Sequence, residues 1–377
     1  MPVMTFLTTC IFDHGALARL PKVLAGLGVT KPFIVTDPGI KAAGILDRVT
    51  DALGAPASGI FADTVANPTE KQVKEVVDIY KSAGADGIIA LGGGSSMDLA
   101  KAVGLLASHG GSLEQYAAMS GGSKLIKKQP PMIAIPTTAG TGSEVSVGMI
   151  ITMENGRKET FASPNLIPAT AICDPDLTYG LPKMMTAATG MNAVTHCIEA
   201  ILVPSHNPPA EGIGYDGLHR AIGDGWLRRA VEDGSDPDAR WHMMMASYEG
   251  ALAFVKGLGS VHALSHAAGR LHAKRLHHGT LNAIFLPHLL RFNEGAADKK
   301  YARLRFAMGL SDGADLADAI ERLNADIGIP ATLKDIGLEA SDGPGIVENA
   351  LADLAHMGNA KPATQGDYEA IYTRALG

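Results

Sequence analysis

An apolar run that ends in three glycines and restarts as a helix leaves few folds open, and Asp86-Gly-Ile-Ile-Ala-Leu-Gly-Gly-Gly-Ser-Ser-Met-Asp-Leu-Ala-Lys is such a run. A buried strand hands the chain to a helix N-terminus, where unpaired amides and the positive end of the dipole favour an anion such as a pyrophosphate. Gly93 and Gly94 let the backbone approach that anion, with Ser95 beside them. The spacing is neither GxGxxG nor the Gly-Lys-Ser/Thr of a P-loop. A tight turn packed under the core is the alternative for the glycines alone. Asp98 reads either as a further cofactor contact or as a first-turn acid that complements the helix dipole.

The surrounding residues repeat the alternation. Lys31-Pro-Phe-Ile-Val-Thr-Asp, Gly59-Ile-Phe-Ala and Pro131-Met-Ile-Ala-Ile-Pro read as strands, and 41–53 and 69–84 read as helices. Long helical connections favour parallel pairing. Ligands of such sheets lie outside the carboxyl ends of the strands. Thr137 and Thr138, which open Thr137-Thr-Ala-Gly-Thr-Gly-Ser-Glu, therefore join the glycine loop as candidate nucleotide contacts. Asp37, at the end of an early strand, is placed to accept from a ribose 2′-hydroxyl, which favours NAD over NADP; Asp37-Pro38-Gly39 also reads as a plain turn. Runs at 149–153 and 170–173 read as β, with Asn155-Gly156 as a tight turn. Beyond Pro182 the spacing is helical, notably at 184–202, 241–254, 281–292 and 368–376. The expected fold is an α/β domain over 1–182 followed by an all-α domain over 183–377. Asn207-Pro-Pro and Asp233-Gly-Ser-Asp-Pro read as surface loops.

The chain has 377 residues, enough for a large core, and a net charge of -7, which argues against a nucleic-acid partner. Cys10, Cys173 and Cys197 show no CxxC spacing, and the opening MPVMTFLTTCIFDHG has no basic n-region or long apolar core. A cytoplasmic protein with no membrane partner is expected.

In the second half, His262 and His266 stand four apart in an apolar run, Asn192 and His196 repeat the spacing, and His278 ends a short polar excursion. One such histidine is ordinarily a satisfied core residue. Two helices that each present a pair, plus one loop imidazole, can instead surround a divalent cation.

GGGSSMDLAK at 92–101, PTTAGTGSE at 136–144, TGMNAVTHCIEA at 189–200 and the run 257–282 together resemble the iron-containing (group III) alcohol dehydrogenases over nearly the whole chain. FLTTCIFDHGAL, Asn207-Pro-Pro-Ala-Glu-Gly-Ile, LHHGTLNA and Tyr301-Ala-Arg-Leu-Arg are most similar to the 4-hydroxybutyrate dehydrogenases of that family. The resemblance implies a nucleotide-binding domain, a helical domain of the dehydroquinate synthase-like type, a cleft that holds metal and nicotinamide, and a homodimer. It implies Fe²⁺ or Zn²⁺ on Asn192, His196, His262 and His278. Asn67, Lys158 and His278 join the cofactor contacts, and His266 and His262 become the catalytic candidates. One departure stands out: the family's first ligand is an aspartate, and an amide is a weaker, neutral donor.

The activity implied is NAD-dependent hydride transfer between a primary alcohol, 4-hydroxybutyrate first, and its aldehyde, with His266 relaying the proton. Arg157, Lys158, Arg270 and Arg275 are the cations open to a substrate carboxylate. A metal-independent reductase of maleylacetate type and a catalytically silent nucleotide-binding protein are the alternatives. A lyase or a polyol-phosphate dehydrogenase on the same scaffold fits the 257–282 run less well.

Overall fold

The computed structural model describes residues 3–5 and 8–377, and the chain forms two compact units, Met1–Thr138 with Gly142–Gly180 and Ala139–Thr141 with Leu181–Gly377. The first is built on nine strands: β1 (Val3–Thr5), β2 (Thr9–Phe12), β3 (Pro32–Val35), β4 (Gly59–Phe61), β5 (Gly87–Gly92), β6 (Met132–Pro136), β7 (Gly148–Thr152), β8 (Lys158–Ala162) and β9 (Thr170–Cys173). Seven form one sheet in the order β1-β2-β9-β6-β5-β3-β4, parallel apart from the β1–β2 pair. Its central strands are apolar without a break because both faces are covered: Ile88 and Ala90 enter one core, Ile89 and Leu91 the other.

The strand order puts the site where sequence alone cannot. After β3 the chain goes to β4 on one side and returns to β5 on the other. The crevice at such a reversal is where open α/β sheets bind ligands. Asp37 ends the β3 side of it and Gly92 the β5 side, with Val35 in register with Ala90 and Gly92 with Pro136. Behind Gly92, the helix α1 (Gly94–His109) begins.

Several local expectations change. The helix expected over 41–53 is two, Pro38–Ala42 and Ile45–Leu53, separated by Gly44 at φ 71, a left-handed turn that breaks the helical path. The Asn155-Gly156 turn joins β7 to β8, whose polar Lys-Glu-Thr-Phe-Ala gave no strand signal. Asn207-Pro-Pro is a helix start, since the Asn207 side chain accepts from Ala210 N and the helix Pro208–Leu218 follows. Asp236 does the same for Pro237–Ala253 at the end of the second presumed loop.

The second unit is helical around α2 (Lys183–Leu202), buried at every position from Thr186 to Leu202. A helix enclosed on all sides is the centre of its unit, and its polar residues must be satisfied inside. Two further helices complete the site, α3 (Ser260–Ala268) and α4 (His278–Asn293), and α5 (Gly343–Leu351) packs on α3. Among the described residues no helix is long and apolar enough to cross a membrane.

Candidate functional site

Asn192, His196 and Glu199 lie on successive turns of α2, so all three face one way. α3 presents His262 and His266 one turn apart, and α4 opens with His278 and carries Asn282 a turn later. The imidazoles of His196 and His262 stack at 4.8 Å, His262 and His278 are 5.3 Å apart, and His266 stacks on His278 at 5.2 Å, measured between ring centroids. Imidazoles from three helices thus meet in one buried cluster.

Hydrogen bonds fix which atom each residue offers. The Asn192 Nδ2 donates to the Gly140 carbonyl at 3.1 Å, which leaves its Oδ1 turned to the histidines. Glu199 Oε2 lies 2.6 Å from His262 Nδ1 and its Oε1 accepts from Val261 N at 2.7 Å. Ser265 Oγ lies 3.3 Å from His278 Nδ1. With protons at Nδ1, His262 and His278 present bare Nε2 atoms, the form a metal needs. Burial first, and then neighbouring imidazoles, hold His196 and His262 well below the ordinary histidine range, so both are neutral. Burial pushes the Glu199 carboxyl up to about 7.

Those bare atoms converge. The Asn282 Nδ2 lies 2.6 Å from Asn192 Oδ1, 3.3 Å from His262 Nε2 and 3.2 Å from His278 Nε2. An amide has two hydrogens for these three acceptors, so one acceptor is left without a donor. His196 Nδ1 is buried without a hydrogen-bond partner. Among the described residues no group of three or more His, Cys, Asp or Glu side chains forms a metal cage by itself. The fit therefore rests on the amide oxygen of Asn192, and with it the donor set suits a divalent cation. Sequence reasoning missed Asn282 and Glu199, although helical spacing from His278 and His196 was the available signal.

His266 stands beside the cluster. Its Nδ1 is 3.1 Å from Asp353 Oδ2, and the two side chains are 13% and 11% exposed. Burial opposes the Asp353 charge, but His266, the Ala355 amide and Arg270 outweigh it and hold the carboxyl below its ordinary range. Asp353 is a third residue the sequence reading did not single out.

In the first unit, Gly92 has φ 136, and a Cβ there would come within 2.8 Å of Ser96 Oγ and 3.0 Å of Asp37 Oδ2. Asp37 takes the turn role among its two readings and also reaches the glycine loop. Its Oδ1 caps the Pro38–Ala42 helix by accepting from Gly39 N and Ile40 N, while Oδ2 accepts from Ser96 Oγ at the glycine loop. Thr138 lines Gly93, and Thr137 N donates to Gly92 O at 3.1 Å, with a buried Thr137 Oγ1 that has no partner. Ser95 Oγ accepts from Asn67 N, and Lys158 Nζ donates to Asn67 Oδ1 at 2.8 Å. Asn67 holds φ 57, a sparsely populated conformation for a non-glycine residue.

Asp98 departs from this group. Its oxygens accept from Ser143 Oγ at 2.9 Å and Ile150 N at 3.0 Å, inside the protein, so it ties α1 to the 143–150 segment instead of facing the loop. The cations considered for a substrate carboxylate are also distributed: Arg157 and Arg275 are exposed, Lys158 holds Asn67, and Arg270 bonds Asn349.

Residues 8–175 match the iron-containing alcohol dehydrogenase family and residues 186–376 match the C-terminal part of that family. The chain is 46% identical to the 4-hydroxybutyrate dehydrogenase of Cupriavidus necator, over 100% of both chains. A solved 1,3-propanediol oxidoreductase superimposes with a TM-score of 0.92 at 34% identity, over 97% of each chain. The sulfoacetaldehyde reductase of Bifidobacterium kashiwanohense, solved in complex with NAD+, gives a TM-score of 0.88 at 27% identity, over 100% of this chain and 99% of that one. With both units matched and the histidine cluster assembled, the chain belongs to the iron-containing alcohol dehydrogenase family and is an alcohol oxidoreductase.

Proposed function

We propose that this enzyme interconverts 4-hydroxybutyrate and succinic semialdehyde, with NAD as hydride carrier and a divalent cation on Asn192, His196, His262 and His278. The observation that carries the reading is that Asn192 Oδ1, His262 Nε2 and His278 Nε2 all turn toward the Asn282 amide nitrogen, within 3.3 Å of it. Bound there, a metal would supply Lewis acidity toward the alcohol oxygen and a nicotinamide would supply the hydride acceptor. Glu199 and Ser265 keep the imidazoles oriented. The glycine loop and Thr137/Thr138 fix the pyrophosphate, and Asn67 and Lys158 extend that surface. His266 Nε2 takes the hydroxyl proton as the carbinol hydrogen leaves as hydride, so alcohol and NAD⁺ give aldehyde, NADH and one proton. The relative from Cupriavidus necator supports the choice of substrate.

The direct test is elemental analysis of protein purified without added metal. NADH-dependent reduction of succinic semialdehyde is then followed before and after chelation, and again after Fe²⁺ or Zn²⁺ is restored. Activity that survives chelation unchanged would instead support the metal-independent reading, which the amide at 192 favours. Gel filtration with light scattering near twice 39.2 kDa is the expected result for the homodimer inferred from the resemblance. The three cysteines, all buried and free, fit the cytoplasm we infer for it.

Two substitutions probe the halves separately. Asp37→Ser removes the carboxylate that repels a 2′-phosphate and is expected to raise kcat/KM with NADP⁺ by about tenfold or more relative to NAD⁺. Asn192→Asp adds a charged donor and is expected to tighten metal binding by at least about tenfold, or ~1.4 kcal/mol. The same change sets a carboxylate oxygen against the Gly140 carbonyl, so the metal-free protein should lose about 1–3 kcal/mol. Metal titration and thermal melting of the apo variant separate the two effects.

A further inference from the structure

The proton carried by His266 needs a place to go and a ring held in one orientation. Glu199 and Ser265 hold His262 and His278, and neither holds His266. Its partner comes from the far end of the chain: Asp353, two residues beyond α5, sets Oδ2 at 3.1 Å from His266 Nδ1. The carboxylate is itself pinned, because its other oxygen accepts from Ala355 N at 2.8 Å and caps the short helix Leu354–Gly358. Arg270, just beyond the end of α3, adds positive charge near Asp353. An ionised carboxylate can only accept, so the hydrogen between the two residues sits on His266 Nδ1 and the lone pair sits on Nε2. The ring is further held by stacking on His278, with planes 14° apart.

We propose that Asp353 is a positioning residue for the reaction, which fixes the tautomer and ring angle of His266 so that Nε2 is the atom that accepts the alcohol proton, and which stabilises the imidazolium that results. The inference rests on the dehydrogenase reading above. It adds a His–Asp pair to the site, with the acid supplied from a segment about 90 residues downstream of its histidine in an otherwise separate helix cap. The proton passes from the substrate hydroxyl to Nε2, the Nδ1–H stays on the ring, and Asp353 remains ionised throughout.

The capping role offers a competing explanation, so the test must separate the two. Asp353→Ser keeps an N-cap side chain but cannot reach His266, and Asp353→Glu keeps a carboxylate of altered length. In the metal-loaded enzyme, Asp353→Ser is expected to lower kcat by about 10–100-fold with little change in the KM for NADH, and Asp353→Glu to recover part of the loss. The decisive measurement is the double-mutant cycle with His266→Ala: once His266 is gone, Asp353→Ser should cost almost nothing more. Fully additive losses, or an Asp353→Ser enzyme with wild-type kcat, would overturn the proposal. An enzyme inactive in all forms toward every alcohol and semialdehyde tested would overturn the dehydrogenase reading instead.

Discussion

His262→Ala is expected to leave the protein with less than about a tenth of its metal and to lower turnover by roughly 10³-fold, the equivalent of about 4 kcal/mol of transition-state stabilisation. The size follows from how many partners the ring serves. Its Nε2 faces Asn282, its plane stacks on His196, and its Nδ1 is the partner of the buried Glu199. Removing the ring therefore deletes one donor, loosens a second and leaves a carboxyl without its imidazole. Elemental analysis and stopped-flow reduction of succinic semialdehyde check the prediction. Glu199→Gln should fall far short of it, at about 10–100-fold, because an amide still bonds Nδ1 or Val261 N. Equal losses in the two variants would mean that the carboxylate, not the ring, dominates the site.

Gly279→Ala is expected to be nearly as damaging for a different reason. A Cβ at Gly279 would lie 2.0 Å from the Ala188 carbonyl oxygen, a backbone atom of α2 with no freedom to swing away. The two helices that carry His278 and Asn192 would have to separate. An overpacked contact of this kind costs about 3 kcal/mol, which for a unit of this size lowers Tm by roughly 6–12 °C. The displacement also moves His278, so metal retention should fall together with Tm. An alanine variant that melts like the wild type and keeps its metal would show that the contact between the two helices has room for a methyl group.

Most of this fold was legible because its signals are local. Alternating strands and helices, three glycines after a buried strand and histidines at helical spacing each follow from short-range geometry, and the α/β reading of the first half needed nothing else. Strand order was not legible, since it depends on which strands pair across dozens of residues; only the structure shows that Asp37 and Gly92 flank the reversal between β3 and β5. β8 was missed because its residues are polar, and the Asn207 and Asp236 helix starts were missed because proline after asparagine or aspartate looks the same in a turn and at a first helical position. Within the site, the residues that bear lone pairs toward the centre were apparent. Their supports were not: Gly140 acts through a carbonyl, which carries no sequence signature, and Asp353 reaches His266 across 87 positions.

The Gly140 carbonyl that turns the Asn192 amide has a physiological reach. Four uncharged donors grip a divalent ion less firmly than a set containing an acid, and they exchange it with the surroundings more readily. On the reading given above, the fraction of enzyme in working order would follow the free ion concentration of the cell, so the rate at which substrate is cleared would be governed by metal supply as much as by the amount of enzyme made.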